Sequence, residues 1–409
     1  MSTETRVLQP AEWDEWYGRL ELAFGGVAEA PQERKLWHDL TEFDRSIGVW
    51  EGSTCVGTAG SFSFRLTVPG GAPVPAAGVT MVSVLSTHRR RGVLTGMMRR
   101  LLDGVRELGE PLAVLTASEP GIYGRFGYGA ATQELSLDID TGRAGLTVPD
   151  HPDGVTLRMV APDDVQDACE RIYARRVTER PGMLARRPGW ERLPLLDPVA
   201  SRAGASPLQC VVAERGGEVI GYARYAIKPE WTPEGPEGVV VLRDLEAPEP
   251  AVTAALWRFL FDLDLTSRLR ARTRPVDDPL LHLVSDVRRC SPRLRDGLHL
   301  RPVDVGAALA ARAYSAPVDV VLEVTDTFCP WNEGRWRLTG DTGGAQCART
   351  SDPAELSLSV RELGEAYLGG TSLAALAGAG RVREVRKGAL AQTARAFLGE
   401  VAPWLPHGF

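Results

Sequence analysis

The chain has 409 residues, 44% of them apolar and 24% charged, with 53 acidic against 47 basic side chains and a formal net charge of -6. That length exceeds one ordinary core and calls for two or three domains of a soluble globular protein. An acidic balance without a broad basic stripe argues against a nucleic-acid partner. No run of eighteen apolar residues and no signal-like N-terminus is present, so no membrane span is expected and the expected location is cytoplasmic. Cys55, Cys169, Cys210, Cys290, Cys329 and Cys347 stand far apart, without Cys-x-x-Cys or a nearby histidine pair, which argues against a metal site and against a disulfide framework.

In chain order, residues 6–24 read as a helix with Trp13, Trp16, Leu20 and Phe24 on one face, and 31–43 as a second helix carrying Leu36, Trp37 and Leu40. Residues 47–50, 55–59 and 61–68 read as successive antiparallel strands with glycine-containing turns. Pro69-Gly70-Gly71 is a tight turn before a strand at 78–85. The run Val79-Thr80-Met81-Val82-Ser83-Val84 then feeds a basic turn, Thr87-His88-Arg89-Arg90-Arg91-Gly92. Leu94, Met98, Leu101 and Val105 recur at three- and four-residue steps and predict a helix directly after Gly92. Its first amides have no internal partner and favour an anion, and the arginines add charge-assisted donors. The pattern calls for a phosphate-bearing ligand at a strand end; a merely solvated basic turn is the alternative. There is no Gly-x-Gly-x-x-Gly and no P-loop lysine. Residues 111–118 predict a second buried strand.

Residues 138–145 and 149–154 are turn-rich and read as a linker. A helix at 162–178, strands near 209–215 and 219–228 around Arg215-Gly216-Gly217-Glu218, a strand at 239–245 and a helix at 249–264 repeat the order of the first unit. Asp244-Leu245-Glu246-Ala247-Pro248 stands where the first unit has its arginines, and carboxylates there would repel a pyrophosphate. A degenerate copy that binds no cofactor is expected, with unrelated α/β structure as the alternative. From about 293, residues 303–313 predict a helix and 318–324 and 334–338 strands. The alternation Leu356-Ser357-Leu358-Ser359-Val360 predicts an edge strand, and helices follow at 361–368 and 387–399. Proline and glycine in Pro403-Trp404-Leu405-Pro406-His407-Gly408-Phe409 forbid a long helix, yet Trp404, Leu405 and Phe409 are too apolar for a typical solvated tail.

The order strand, Arg-x-x-Gly, helix, strand resembles the pyrophosphate loop of the GNAT superfamily of N-acetyltransferases, usually Gln/Arg-x-x-Gly-x-Gly/Ala; Leu94 replaces its last small residue. Together with Ala117-Ser118-Glu119 and Ile122-Tyr123-Gly124-Arg125-Phe126-Gly127-Tyr128, the chain resembles the enhanced-intracellular-survival (Eis) type of aminoglycoside N-acetyltransferase. The likeness continues through Asp278-Pro279-Leu280-Leu281-His282-Leu283, Asp296-Gly297-Leu298-His299-Leu300-Arg301, Val321-Leu322-Glu323-Val324-Thr325-Asp326, Tyr367-Leu368-Gly369-Gly370 and Phe409. The resemblance implies an α/β (α+β) fold: GNAT-like domains at 1–145 and 146–292, then a sterol-carrier-protein-like α/β domain at 293–409 whose C-terminus enters the active site. It also implies a homo-hexamer.

It further implies acetyl transfer from acetyl-CoA to primary amines of aminoglycoside-like polyamines, by direct attack in a ternary complex. Tyr123 would be the general acid and the carboxylate of Phe409 the base. The backbone of Val82 and Val84 would pair with pantetheine, the Val84 amide would polarise the thioester carbonyl, Ser118 would lie beside the arm, and Arg89, Arg90, Gly92 and Val93 would hold the pyrophosphate. Phe24, Trp37 and Met81 would line the amine pocket, with Met81 where the family has an aromatic residue; Glu119 and Glu400 are the acidic candidates for a cationic substrate. Read without the resemblance, Tyr123 is a turn aromatic packed on Phe126, and Phe409 a docked apolar terminus. The alternative functions are acetylation of protein or peptide lysines, and a lipid-binding module with a vestigial acyltransferase site.

Overall fold

A computed structural model describes residues 3–147 and 154–409. The chain starts on a strand where the apolar spacing predicts helix: β1 (Glu4–Val7) precedes α1 (Trp13–Ala23) and α2 (Pro31–Leu40). α1 turns Trp13, Trp16 and Tyr17 inward, and the Trp16 indole donates to the Ile47 carbonyl at 2.9 Å, whereas Phe24 caps the helix and is 62% exposed. β2 (Ser46–Glu51) pairs with β3 (Thr54–Thr67), a single strand where two were expected. β3 runs on because its partner β4 (Pro73–Val84) takes up the irregularity: Gly60 faces Thr80 but Thr58 faces Ser83, which leaves Met81 and Val82 opposite Ala59 alone, a β-bulge. α3 (Val93–Glu107) packs Met97, Met98, Leu101, Leu102 and Val105 onto the sheet, β5 (Leu112–Thr116) returns parallel to β4, and β6 (Gly129–Ala130) follows.

β7 (Gln133–Asp140) leaves this sheet, so Asp138 to Asp140 are strand where linker was expected; residues 149–153 of that expected linker lie outside the described residues. After α4 (Thr141–Ala144) come β8 (Val155–Val160), α5 (Gln166–Glu179), β9 (Gln209–Arg215), β10 (Glu218–Lys228), the small hairpin β11 (Trp231–Thr232) and β12 (Gly235–Pro236), β13 (Gly238–Glu246), α6 (Pro250–Phe261), β14 (Thr266–Pro275), α7 (Leu280–Leu283) and β15 (Arg293–Asp296). The second sheet has the order β15-β7-β14-β13-β10-β9-β8. At the end of β13, Asp244 pairs with Arg224 at 3.1 Å and Glu246 with Arg176 at 3.4 Å, while Glu249, just before α6, pairs with Arg215 at 2.9 Å. The carboxylates that replace the arginine turn are thus engaged internally.

β16 (Leu298–Pro302), an unforeseen strand, crosses back and completes the first sheet, whose order is β1-β2-β3-β4-β5-β16-β6. The units expected at 1–145, 146–292 and 293–409 therefore exchange strands at their borders. α8 (Val305–Ala310), β17 (Val318–Thr325), β18 (Gly334–Asp341), β19 (Gly344–Arg349), β20 (Leu356–Ser359), α9 (Val360–Ala366), α10 (Leu373–Gly378), β21 (Val382–Glu384) and α11 (Ala389–Phe397) form the third unit around a sheet of order β19-β18-β17-β20-β21. β20 is an inner strand, not the expected edge, because the unforeseen β21 covers its far side. No helix among the described residues is long and apolar enough to cross a membrane.

The first and third units share a core. Phe62, Phe64 and Leu66 of β3, Leu298 and Leu300 of β16, and Leu322, Leu356 and Leu363 belong to one buried cluster. Polar groups seal the same joint. Fully buried Arg301 on β16 pairs with Asp326 at 2.5 Å and also donates to the Phe126 carbonyl. Asp326 accepts from the Cys329 amide at 2.9 Å and the Asn332 side chain at 3.0 Å. Gly127 sits at φ +84°, and a Cβ there would fall 1.8 Å from the Arg301 guanidinium, so this glycine is required by both backbone and space. Removing one member of a buried pair strands the other's charge. Asp326→Ala is therefore expected to lower stability by about 3–5 kcal/mol in urea unfolding followed by fluorescence.

Candidate active site

β4 and β5 pair only at Ala76, Ala77 and Gly78, opposite Leu112, Ala113 and Val114. Beyond that point β4 follows β3 to Val84, while β5 stays with β16 as far as Thr116, and the two strands diverge. A cleft of about 950 Å³ opens in the gap, with residues 79–84 on one wall and Thr116 and Ser118 on the other. Among the described residues no strand covers the β4 edge on this side, so it can receive an extended ligand as an added strand. The bulge aims this edge: Met81 sits at φ +53°, and its carbonyl accepts from Thr58 Oγ1 at 2.7 Å. A non-glycine residue in that region costs on the order of 1–3 kcal/mol and persists where the surroundings hold it.

At the phosphate end, Arg90 at φ +64° and Gly92 at φ +83° turn the chain into α3, whose start carries no side-chain cap. A Cβ at Gly92 would meet nothing within 4 Å, so the glycine serves the turn and not close packing. The uncapped amides from Val93 onward and the guanidinium groups of Arg89 and Arg90 face the same cleft, forming an anion cradle.

The opposite end is acidic and aromatic. Tyr17, Glu21 and Phe24 from α1 and its cap, Glu29 from the following loop, and Trp37 from α2 line it together with Met81. The Tyr17 hydroxyl donates to Glu29 at 2.5 Å, the Glu29 amide to Glu21 at 3.1 Å, and Arg34 pairs with Glu21 at 2.7 Å. Burial pushes the Glu29 carboxyl above its usual range, with the charges of Glu33 and Glu21 adding to it. Trp37 packs 6.5 Å from Phe62 and 6.3 Å from Trp190, a residue of the second unit. Sequence reasoning missed Glu21 and Glu29. Glu21 lies one helical turn from Tyr17 and could have been found by that spacing; Glu29 sits in a loop without periodicity. Glu119 lines the cleft as expected, but Glu400 does not: it is exposed at the bend after α11, outside the lining. Nearness in sequence to Phe409 does not bring it in, because the tail between them is extended.

Tyr123 stands in a 3-10 segment (Pro120–Phe126), half-buried, its ring 6.2 Å from that of Tyr128. Burial, and then the charge of Glu119, push its hydroxyl above the ordinary tyrosine value. Phe409 reaches the same cleft from the far end of the chain; its ring lies 5.0 Å from Phe64, and its main-chain oxygen accepts from Thr80 Oγ1 at 3.1 Å. Every expected site residue except Glu400 thus faces one cleft.

Diverging parallel strands, an anion cradle at the helix that follows the first of them, and a tyrosine after the second are the fold and site of a GNAT acetyltransferase. Models described as acetyltransferase (GNAT) domains match residues 4–131 and 182–302, and a sterol carrier protein domain matches 305–406. The chain is 67% identical to an N-acetyltransferase of Streptomyces avermitilis over 100% of both chains. It is 35% identical to the N-acetyltransferase Eis of Mycobacterium tuberculosis over 95% of this chain and 96% of that one. The crystal structure of Eis1 from Mycobacterium abscessus superposes with a TM-score of 0.84 at 34% identity, covering 100% of both chains. The chain belongs to the Eis-type N-acetyltransferases of the GNAT superfamily. Its donor set suits an acyl-CoA: a free strand edge for an amide-bearing arm, and amides with guanidinium groups for a pyrophosphate. Arg90→Ala is expected to weaken CoA binding roughly tenfold to a hundredfold in titration calorimetry, the range for losing a hydrogen bond to a charged group.

Proposed function

We propose that the protein transfers acetyl from acetyl-CoA to a primary amine of a small polycationic substrate of the aminoglycoside class. The observation that carries this reading is the acidic, aromatic end of the cleft, lined by Glu21 and Glu29 with Tyr17 and Trp37. A carboxylate held above its usual range by burial gains most from an incoming ammonium. Trp37 and Phe24 offer faces to the cation and to the carbon framework between amines.

Bound acetyl-CoA supplies the thioester carbonyl carbon that the amine attacks. The Phe409 carboxylate, directly or through a water, takes the proton that frees the amine lone pair. The Val84 amide stabilises the oxyanion as the C–N bond forms. Tyr123 gives its proton to the departing sulfur as the C–S bond breaks, so the products are an N-acetylated amine and CoA thiol. Arg89, Arg90, Gly92 and Val93 hold the pyrophosphate, and Val82, Val84 and Ser118 the pantetheine arm. The family resemblance makes the working unit a homo-hexamer, which light scattering of the purified protein would count, and acetyl-CoA supply makes the cytoplasm its setting.

The test is CoA release with acetyl-CoA and a panel of aminoglycosides, linear polyamines and a lysine peptide. Turnover is expected on aminoglycosides, with kcat reduced about 100-fold or more by Tyr123→Phe and by one alanine added after Phe409. Turnover on the peptide alone would move the substrate to protein lysines. A protein that binds CoA but turns over none of these would be a binding module. Because Tyr123 titrates above the ordinary value of about 10, the acid keeps its proton throughout the neutral range. The rate should therefore rise with pH as the base ionises and the substrate ammonium loses its proton; a falling limb below about pH 9 would exclude Tyr123 as the acid.

A further inference from the structure

The C-terminal tail crosses the second unit before it reaches the cleft, and its hydrogen-bond anchors from Ala402 to His407 are residues of that unit, while Leu405 is buried in the core shared by the first and third units. The Ala402 amide donates to Asp277 at 2.9 Å, and its carbonyl accepts from Arg180 Nε at 2.9 Å, with Arg180 and Asp277 themselves paired. The Trp404 amide donates to the Pro181 carbonyl at 2.9 Å and its indole to the Thr273 carbonyl at 2.7 Å. Thr273 Oγ1 in turn donates to the Pro406 carbonyl at 3.3 Å. The last anchor is a side-chain pair. The Tyr173 hydroxyl donates to the Leu184 carbonyl at 2.8 Å and lies 3.0 Å from His407 Nε2; Arg186 covers the Tyr173 ring at 3.6 Å. Two residues later Phe409 meets β4.

We propose that His407, held by Tyr173, is a positioning residue for the reaction, and that the second unit serves as the frame that sets the C-terminal carboxylate in the cleft. The proposal rests on the reading of Phe409 as base. Phe409 is held at its far end by Thr80 and the Phe64 ring, and on the near side the Gly408 carbonyl lies 3.2 Å from His407 Nδ1, so the imidazole bridges Tyr173 and the last peptide. With Gly408 between, the carboxylate can swing unless both sides are fixed. Burial, with the Arg186 charge adding to it, pushes the His407 imidazole down to about 3, so the clamp is neutral under working conditions and places no competing cation beside the carboxylate. The pair therefore acts through geometry.

A shift of about 1 Å in a reacting group costs on the order of a hundredfold in rate. His407→Ala is accordingly expected to lower kcat about 10- to 100-fold, with the KM for acetyl-CoA within about twofold of the parent. His407→Gln, whose amide reaches the Nε2 position, should recover most of the rate. Tyr173→Phe, which keeps the ring under Arg186, should reproduce the loss without the risk of an unpacked core. His407→Ala should add nothing in a chain already extended by one alanine after Phe409, because coupled residues are not additive. If the extension abolishes turnover while His407→Ala leaves kcat within twofold of the parent, the positioning role is overturned and the base stands. If the extension leaves turnover intact, the base reading falls and the positioning role with it.

Discussion

The parallel contact between β4 and β5 covers three residue pairs, and its brevity is the constraint from which the site follows. Two parallel strands of this length would ordinarily stay paired, since an unpaired backbone edge is costly when buried. Here the pairing is given up on both sides. The bulge at Met81 and Val82 redirects β4 along β3, and β16 takes the far side of β5. What remains is a β4 edge that no strand among the described residues covers, facing a cleft and open to an amide-bearing ligand. The strained backbone of Met81 stores part of the cost, and Thr58 holds it in place.

The same departure explains why three units are needed for one site. β16 is delivered to the first sheet from 298–302, and Arg301 on that strand ties Phe126 to Asp326 of the third unit. The segment bearing Tyr123 is thereby fixed at its C-terminal end to parts of the chain far from it in sequence. The second unit lacks an arginine turn and turns its acidic strand end inward, but it supplies Trp190 behind Trp37 and the surface across which the tail travels. A unit that has lost its own anion cradle is free to be used as scaffold.

The two ends of the cleft carry opposite electrostatics, and this orders the proposed reaction. Amides and guanidinium groups gather where phosphate charge belongs, and carboxylates gather where an ammonium belongs. Tyr123 and Phe409 line the same cleft, the proposed donor and acceptor of the two protons that acetyl transfer must move. The tyrosine is pushed up by burial, which keeps its proton available to a departing sulfur.

The anion cradle and most of the element order were legible in the chain, because local rules specify them: a β-branched run, a glycine at a left-handed turn, and a helical apolar stripe follow one another within residues 79–105. The motif around Tyr123 and the terminal Phe409 were legible through resemblance. Other features were decided only when distant segments met. β1 was hidden because four residues cannot outweigh a neighbouring helical pattern, and β16 because its alternation Leu298-His299-Leu300-Arg301 is equally short and stops at a proline. β3 read as two strands since the bulge that keeps it whole lies on its partner. Glu29 entered the cleft, and Glu400 stayed out, for reasons that lie in how a loop and an extended tail pack. Local propensity sets which elements form; which edge is left open depends on β5 meeting β16 far along the chain, and which carboxylates face the gap depends on how a loop folds back onto Tyr17 and Glu21.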